Sequence, residues 1–179
     1  GIITTNNKDW ADWMLSYKHF GMGVNNSRLT TSFDRIGTNY KLSNIVSAIG
    51  LVQMRHIDTL LAKRISTTAR YYALLSEISE IILPSIHLKA KHSYQSCCIF
   101  VSHRDRIMAG LKAKGIASQI GTYSLHQHKA FSHNPDCEIR GNMSGSNYAF
   151  EHCLTLPMYF EMSNEEQDCV VNELKTLVI

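Results

Sequence analysis

The chain has 179 residues, of which 44% are hydrophobic and 18% are charged, with a formal net charge of +3. This balance is typical of a globular protein with a buried core and excludes a disordered chain. The positive charge is small and scattered, and no apolar run reaches the ~18 residues that span a membrane. We therefore expect neither a nucleic-acid partner nor membrane association.

The cysteines and the N-terminal residues indicate the compartment. The five cysteines are odd in number and form no C-x-x-C pair, which is typical of small apolar residues in a reduced environment. Gly1–Asn7 has neither the basic start nor the long apolar stretch of a secretory signal peptide. Together these features predict a cytoplasmic protein.

The first predicted elements are a strand and a helix. Ile2–Thr4 is short and β-branched, which favours a strand. Asn6 or Asn7 can then cap an amphipathic helix over 9–20, which the glycines after it would end. Its inward residues recur at spacings of three and four: Trp10, Trp13, Met14 and Tyr17. A strand followed at once by a helix is half of a β-α-β unit, so we expect its neighbouring strands outside this chain.

Residues 21–41 show no hydrophobic periodicity, and the polar runs at 25–27 and 30–32 are typical of a loop.

A long helix is predicted after this loop. Ser43 or Asn44 can cap it, and an apolar face continues to about residue 79 without a proline. Gly50 costs about 1 kcal/mol relative to alanine, which indicates close packing there. A helix of about 35 residues is about 50 Å long, so it should join two bodies or kink.

The C-terminal part is predicted to be a small α/β domain. A strand over 94–102, a helix over 105–114 ended by Gly115, and a strand over 116–120 form its core. Residues 121–145 are predicted to be a loop and 148–153 to be one or two helical turns before Pro157. Ser163 and Glu166 then form a capping box that opens a final helix.

Three segments of the sequence carry a family resemblance. The first is G-T-N-Y-K-L-S at 37–43, with the helix after it. The second runs from R-D at 104 through G-I at 115 to G-T-Y-S-L-H at 121–126. The third is L-P-M-Y at 156–159 with S-N-E-E at 163–166. In this order and spacing they resemble the DegT/StrS family of pyridoxal-phosphate-dependent sugar aminotransferases, and the chain is similar to its C-terminal portion only.

The resemblance implies an α/β fold, the C-terminal small domain of a fold type I transferase with a linking helix and a remnant of the large domain. The implied divisions are the remnant with an active-site loop at 1–42, the linking helix at 43–79, and the small domain at 80–179. Residues 21–35 would border the active site and would be disordered in isolation.

The same resemblance implies which residues have functional roles. The family's Schiff-base lysine lies upstream of the position of Gly1, so we expect no catalytic residue in this chain, no turnover, and no pyridoxal 5'-phosphate bound by the chain alone. Asn39 matches a residue that reaches the cofactor phosphate of the neighbouring subunit in a homodimer. The implied substrate-binding residues are Lys41, Tyr123 and His126. Each of the four residues also has a non-functional alternative. Asn39 could be a turn asparagine and Lys41 a solvated charge, while Tyr123 could be a core tyrosine and His126 a loop histidine.

The implied activity of the intact enzyme is amino transfer, with glutamate as the donor and a nucleotide-linked keto-sugar as the substrate, in polysaccharide or antibiotic-sugar synthesis. Two alternatives stay open: a non-catalytic module that binds a partner, and a sugar dehydratase on the same scaffold. No metal site is expected, because the spacing of the histidines and cysteine at 126–137 is not a familiar zinc pattern.

Overall fold

The computed structural model describes residues 1–23 and 32–179, which fall into two compact units, Gly1–Arg55 and His56–Ile179. The loop predictions for 24–31 lie outside the described residues. The first unit contains the helices α1 (Lys8–Tyr17) and α2 (Asn44–Arg55).

Helix α1 begins where its cap predicts but is preceded by no strand. The Asn7 side chain accepts a hydrogen bond from Trp10 N at 3.1 Å. Ile2–Thr4 forms no strand within the described chain, because a strand needs a hydrogen-bonding neighbour, the neighbours were expected outside this chain, and residues 1–7 pair with none of the described residues. Ile2 is instead 73% exposed. The helix ends at Tyr17, earlier than predicted, in a turn that leads to Gly21 at φ +82°.

The helical segment predicted over 43–79 is divided at His56. Helix α2 is capped by Ser43, whose Oγ accepts from Val46 N at 3.3 Å, and α3 (Ile57–Leu75) begins after His56. The backbone of His56, at φ −106° and ψ 7°, lies in the sparsely allowed bridge region and ends the regular helix. Within the described residues no atom lies within 4 Å of a Cβ built on Gly50, so the close packing predicted there is wrong.

The second unit is built on a four-stranded antiparallel sheet. Its strands are β1 (Ile81–Ile82), β2 (Cys97–Val101), β3 (Gln119–Ile120) and β4 (Cys153–Leu156), in the spatial order β1-β2-β4-β3. Because β2 and β3 both run antiparallel to β4, they are parallel to each other. Helix α4 (Arg104–Ala113) connects them, so the unit is a β-α-β crossover with a strand inserted between its two parallel strands.

The predicted strand-helix-strand order is therefore confirmed, but the strand at its centre was missed. Strand β4 follows directly after α6 (Ser144–His152), which is longer than the one or two turns predicted. The rest of 121–145 contains a short 3₁₀ turn (Leu125–Gln127) and a one-turn helix, α5 (Lys129–Ser132). Four residues between a helix and Pro157 give too short a pattern to reveal β4 from sequence.

The core lies on one face of the sheet, beneath α3, α4 and α7 (Asn164–Val178). Alternate residues of β2 enter it, so Cys97 is buried while Cys98 on the other face is half-buried, as predicted for adjacent strand positions. The fully buried side chains of the core include Tyr71, Leu75, Ile99, Ile107, Leu111, Leu154 and Leu174. The opposite face is covered by α6, where Tyr148 stacks on Phe100 at 5.7 Å.

Polar contacts fix the helices around this core. Arg70 Nη2 donates to both carboxylate oxygens of Asp168, at 2.8 and 3.0 Å, and buried Gln167 donates to Thr67 O at 2.9 Å. These contacts join α7 to α3. The buried Arg104 donates to Phe150 O at 2.6 Å and joins α4 to α6.

No single helix of the described residues is long and apolar enough to cross a membrane. Only α2 and α3 taken together have the length and apolar composition of a membrane span.

The predicted capping box on α7 is confirmed and can be tested. Ser163 Oγ accepts from Glu166 N at 3.2 Å, and Glu166 accepts from Ser163 N at 2.8 Å. We expect Ser163→Ala to destabilise the second unit by about 1 kcal/mol, measured as a lower urea midpoint by far-ultraviolet circular dichroism. Ser163→Asp keeps a cap acceptor and should stay near wild type. An aspartate variant as unstable as the alanine variant would contradict the role of the cap.

Candidate functional site

The segment Gly37–Lys41 lies against the C-terminal turn of α1. Thr38 N donates to Tyr17 O at 2.9 Å, Phe20 N donates to Thr38 O at 3.0 Å, and Tyr40 N donates to Lys18 O at 3.0 Å. Donors alternate between the two segments, as in a short antiparallel pairing, and His19 opposite Asn39 forms an isolated bridge. This segment is the G-T-N-Y-K motif of the sequence, and its backbone is held on both sides of Asn39.

Two glycines make this contact possible. A Cβ on Gly37 would lie 2.2 Å from Gly21 N, and a Cβ on Gly21 would lie 1.8 Å from Arg35 O. Both contacts are with backbone atoms, which cannot swing away. Gly21 also has a positive φ of 82°, which other residues rarely adopt. Gly37 therefore allows the two backbone segments to approach closely, and this contact fixes the position of Asn39.

Asn39 and Lys41, both predicted site residues, lie side by side on this segment. The exposed Asn39 accepts a long hydrogen bond from Lys41 N, at 3.4 Å, through its Oδ1. Its Nδ2 donates to no acceptor in the described parts of the chain. The Lys41 ammonium lies 5.0 Å from the centre of the Phe20 ring, a cation-π contact that leaves its hydrogen-bond donors available.

An amide N–H and an ammonium are donors suited to phosphate oxygens. The segment therefore fits the phosphate of pyridoxal phosphate on the chemistry of its donors. The assignment of Asn39 to the phosphate and of Lys41 to the substrate remains a prediction.

An open apolar groove of ≈ 310 Å³ lies along α1, and the sequence does not predict it. It is lined by Ile3, Thr4, Thr5, Trp10, Trp13 and Met14. Trp10 is 66% exposed, and the guanidinium of Arg35 lies 5.5 Å from the centre of the Trp13 ring. The helical spacing of these tryptophans predicts a shared apolar face, but it does not show whether that face is covered.

The two predicted site residues of the second unit differ in how firmly they are held. Tyr123 is 58% exposed, with its ring 5.8 Å from the His128 ring and 6.0 Å from the Phe150 ring. It is not the core tyrosine of the alternative reading. His126 is half-buried on the 3₁₀ turn, and its Nδ1 lies 3.1 Å from Ser124 Oγ. Their contact with a substrate remains a prediction.

A polar cluster around Ser124 was missed in the sequence. Ser124 is fully buried, and its hydroxyl contacts Ser146 Oγ at 3.0 Å and Asn147 Oδ1 at 3.2 Å besides His126. Gln127 Nε2 also donates to Asn147 Oδ1 at 2.7 Å. Because these residues are about twenty positions apart in the chain, no local spacing predicts their contact.

The thiols on the sheet have strongly shifted pKa values. A hydrogen bond from the Cys153 thiol lowers the pKa of Cys98 to about 6 and raises the pKa of Cys153 itself. Burial raises the pKa of Cys97 to about 12.

In residues 1–23 and 32–179, no three side chains of histidine, cysteine, aspartate or glutamate converge as metal ligands, and those at 126, 128, 133 and 137 form no such group.

One family model matches nearly the whole chain. The model of the DegT/DnrJ/EryC1/StrS aminotransferase family matches residues 1–175. A DegT DnrJ EryC1 StrS aminotransferase from Brucella abortus is 25% identical, with a TM-score of 0.83 over 97% of this chain and 45% of its own length.

Two other solved structures have the same fold. PseC of Helicobacter pylori, an aminotransferase involved in the biosynthesis of pseudoaminic acid, has a TM-score of 0.84 at 18% identity, over 97% of this chain and 47% of its own. DesV of S. venezuelae has a TM-score of 0.83 at 19% identity, over 97% and 45%. The chain thus spans about half the length of the structures it matches. The predicted mixed α/β class is confirmed.

The role of Gly37 in holding the Asn39 segment can be tested with a matched pair of glycine substitutions. We expect Gly37→Ala to destabilise the first unit by about 1–3 kcal/mol, because its Cβ overlaps the backbone of Gly21. Gly50→Ala, in the open interior of α2, should stabilise the helix by up to about 1 kcal/mol. Urea unfolding followed by fluorescence of Trp10 and Trp13 measures both. Equal effects of the two substitutions would contradict the steric role of Gly37.

Proposed function

Because the chain belongs to the DegT/DnrJ/EryC1/StrS aminotransferase family, we propose that it is the C-terminal half of a pyridoxal-phosphate-dependent aminotransferase. The proposed reaction moves an amino group, with glutamate as the donor, to a nucleotide-linked keto-sugar. The observation that carries the proposal is the family match over residues 1–175. The G-T-N-Y-K segment supports it, because among the described residues the Asn39 Nδ2 has no acceptor and can donate to a ligand.

Aminotransferases of this family use pyridoxal phosphate, which when bound supplies the electron-withdrawing ring that carries the amino group between donor and acceptor. This chain contributes groups that bind and orient. In the proposed homodimer, Asn39 Nδ2 donates to the phosphate of the cofactor held by the neighbouring subunit. Lys41 binds an anionic group of the nucleotide-sugar, and Tyr123 and His126 contact the sugar.

The lysine that bonds to the cofactor is proposed to lie outside this chain. A catalytic lysine is activated by a desolvated pocket or a neighbouring cation. The half-buried Lys63 donates instead to Met162 O at 3.2 Å, and Lys114 pairs with Glu173 at 3.6 Å. Lys8 is paired with Asp12, which raises its pKa, and a raised pKa is unsuitable for a nucleophilic amine.

The apolar surface of the first unit also supports a larger assembly. Helix α2 buries none of its residues within the described chain, although Ile45, Ile49 and Val52 are apolar. A monomer rarely leaves such a face uncovered. We propose that this face packs in the dimeric, cytoplasmic enzyme.

The alternative function is a sugar dehydratase on the same scaffold, which differs at the residue in place of the lysine. Assays of amino transfer and of dehydration distinguish the aminotransferase from the dehydratase.

The first test is whether this chain holds the cofactor covalently. We expect no stoichiometric pyridoxyl label on any of its ten lysines after incubation with pyridoxal phosphate, borohydride reduction and peptide mass spectrometry. A polypeptide that also carries the rest of the family fold should be labelled at one lysine outside this segment. Specific labelling of one lysine within residues 1–179 would refute the proposed position of the catalytic lysine.

The second test concerns Asn39 in such a longer polypeptide. Loss of a hydrogen bond to a charged group removes about 1.5–3 kcal/mol, so Asn39→Ala should weaken pyridoxal phosphate binding by about tenfold or more. Asn39→Asp should weaken it further, because a carboxylate repels the phosphate. The exposed Asn134 provides a control, since Asn134→Ala should leave cofactor release unchanged in absorbance-monitored dialysis. Equal affinity for wild type and Asn39→Ala would exclude the phosphate contact.

A further inference from the structure

The buried hydroxyl of Ser124 stands between two elements of the second unit. It precedes the 3₁₀ turn that carries His126, and on its other side lie Ser146 and Asn147 of α6. Three polar atoms lie within hydrogen-bond distance of Ser124 Oγ: His126 Nδ1 at 3.1 Å, Ser146 Oγ at 3.0 Å and Asn147 Oδ1 at 3.2 Å. Ser124 is 0% exposed, so water does not substitute for any of them.

The directions of these hydrogen bonds follow from counting protons. A serine hydroxyl donates one proton and accepts at two lone pairs. An amide oxygen cannot donate, so the contact with Asn147 Oδ1 requires the proton of Ser124. In this orientation the same oxygen also accepts from Gln127 Nε2 at 2.7 Å, so the Asn147 oxygen serves both neighbours. The two lone pairs of Ser124 then accept from Ser146 Oγ–H and from His126 Nδ1–H.

This arrangement fixes which ring nitrogen of His126 carries the proton. In a neutral imidazole one nitrogen donates and the other accepts, and the partner of the first selects the tautomer. With Nδ1–H donating to Ser124, Nε2 has a lone pair and no proton. We infer that Ser124, oriented by Asn147, is a positioning residue that holds His126 in the Nδ1–H tautomer, with Nε2 presented as a hydrogen-bond acceptor for a sugar hydroxyl.

The sugar contact rests on the proposed function, whereas the tautomer does not. An acceptor nitrogen binds a hydroxyl that donates, and it repels the lone pairs of phosphate or carboxylate oxygens. His126 would therefore distinguish the hydroxyl groups of the sugar ring from the diphosphate of the nucleotide. The donors Asn39 and Lys41 have the opposite preference, because an amide N–H and an ammonium bind anionic oxygens.

The tautomer can be measured without turnover. Two-bond ¹H–¹⁵N correlation spectra of the 179-residue protein, labelled in histidine and recorded at a pH where the ring is neutral, identify the protonated nitrogen. His126→Gln assigns the signals by removing them. We expect wild-type His126 to be predominantly Nδ1–H. Asn147→Ala frees the Ser124 proton to be donated to Nδ1, so the ratio of Nδ1–H to Nε2–H should fall by about fivefold or more, the effect of one hydrogen bond.

Two further variants complete the comparison. Asn147→Asp keeps an oxygen that can only accept, so it should preserve the wild-type tautomer of His126. Ser124→Ala removes the acceptor of Nδ1–H, so it should lower the ratio of Nδ1–H to Nε2–H as Asn147→Ala does. The His19 and His56 signals should not change. A predominantly Nε2–H ring in the wild type, or an Asn147→Ala ratio equal to the wild-type ratio, would overturn the inference.

The sugar contact has its own measurement in a polypeptide that carries the whole family fold. Ser124→Ala should raise KM for the nucleotide-sugar while KM for the amino donor stays unchanged. A rise in both, or in neither, would overturn the hydroxyl contact. Absence of any amino transfer in the wild type would count against the proposed function, and the tautomer measurement would still decide the role of Ser124.

Discussion

The second unit depends on one strand pairing, the insertion of β4 between β2 and β3. Its register places Leu154 opposite Ile99 and Leu156 opposite Cys97, so that one face of the strand fills the core beneath α3, α4 and α7. The other face places Cys153 under Gly121, where a Cβ would lie 2.2 Å from the sulfur. This tight contact sets the position at which the chain leaves β3 and enters the segment with Tyr123, Ser124 and His126.

The elements that sequence predicts well are those that local chemistry determines. The caps at Asn7 and Ser163 and the end of α4 before Gly115 each act within a few residues, and the structure has all three. The elements that sequence misses depend on distant partners. Strand β4 forms because β2 and β3 offer unpaired edges, and Ile2–Thr4 remains without a strand because no described residue offers one. A four-residue strand has no periodic signal strong enough to replace that information.

The same distinction applies to the site residues. The G-T-N-Y-K motif could be found in the sequence, but the reason for its glycine could not, since Gly37 meets the backbone of Gly21 sixteen positions earlier. His126 could be selected from its motif, whereas Ser124, Ser146 and Asn147 appear as ordinary loop and helix residues until α6 and the 3₁₀ turn lie together. The sequence therefore predicts the residues that would contact a ligand. The structure identifies the residues that hold these ligand-contacting residues in place.

The two groups of predicted site residues offer complementary chemistry. In the first unit, an amide and an ammonium stand on a backbone segment that three hydrogen bonds and a glycine contact hold in place, and both are donors. In the second unit, a half-buried imidazole is linked through a buried serine to an amide oxygen, and the proton count makes its outer nitrogen an acceptor. The groups of the first unit are therefore suited to anionic oxygens, and the imidazole of the second unit is suited to a hydroxyl group that donates its proton.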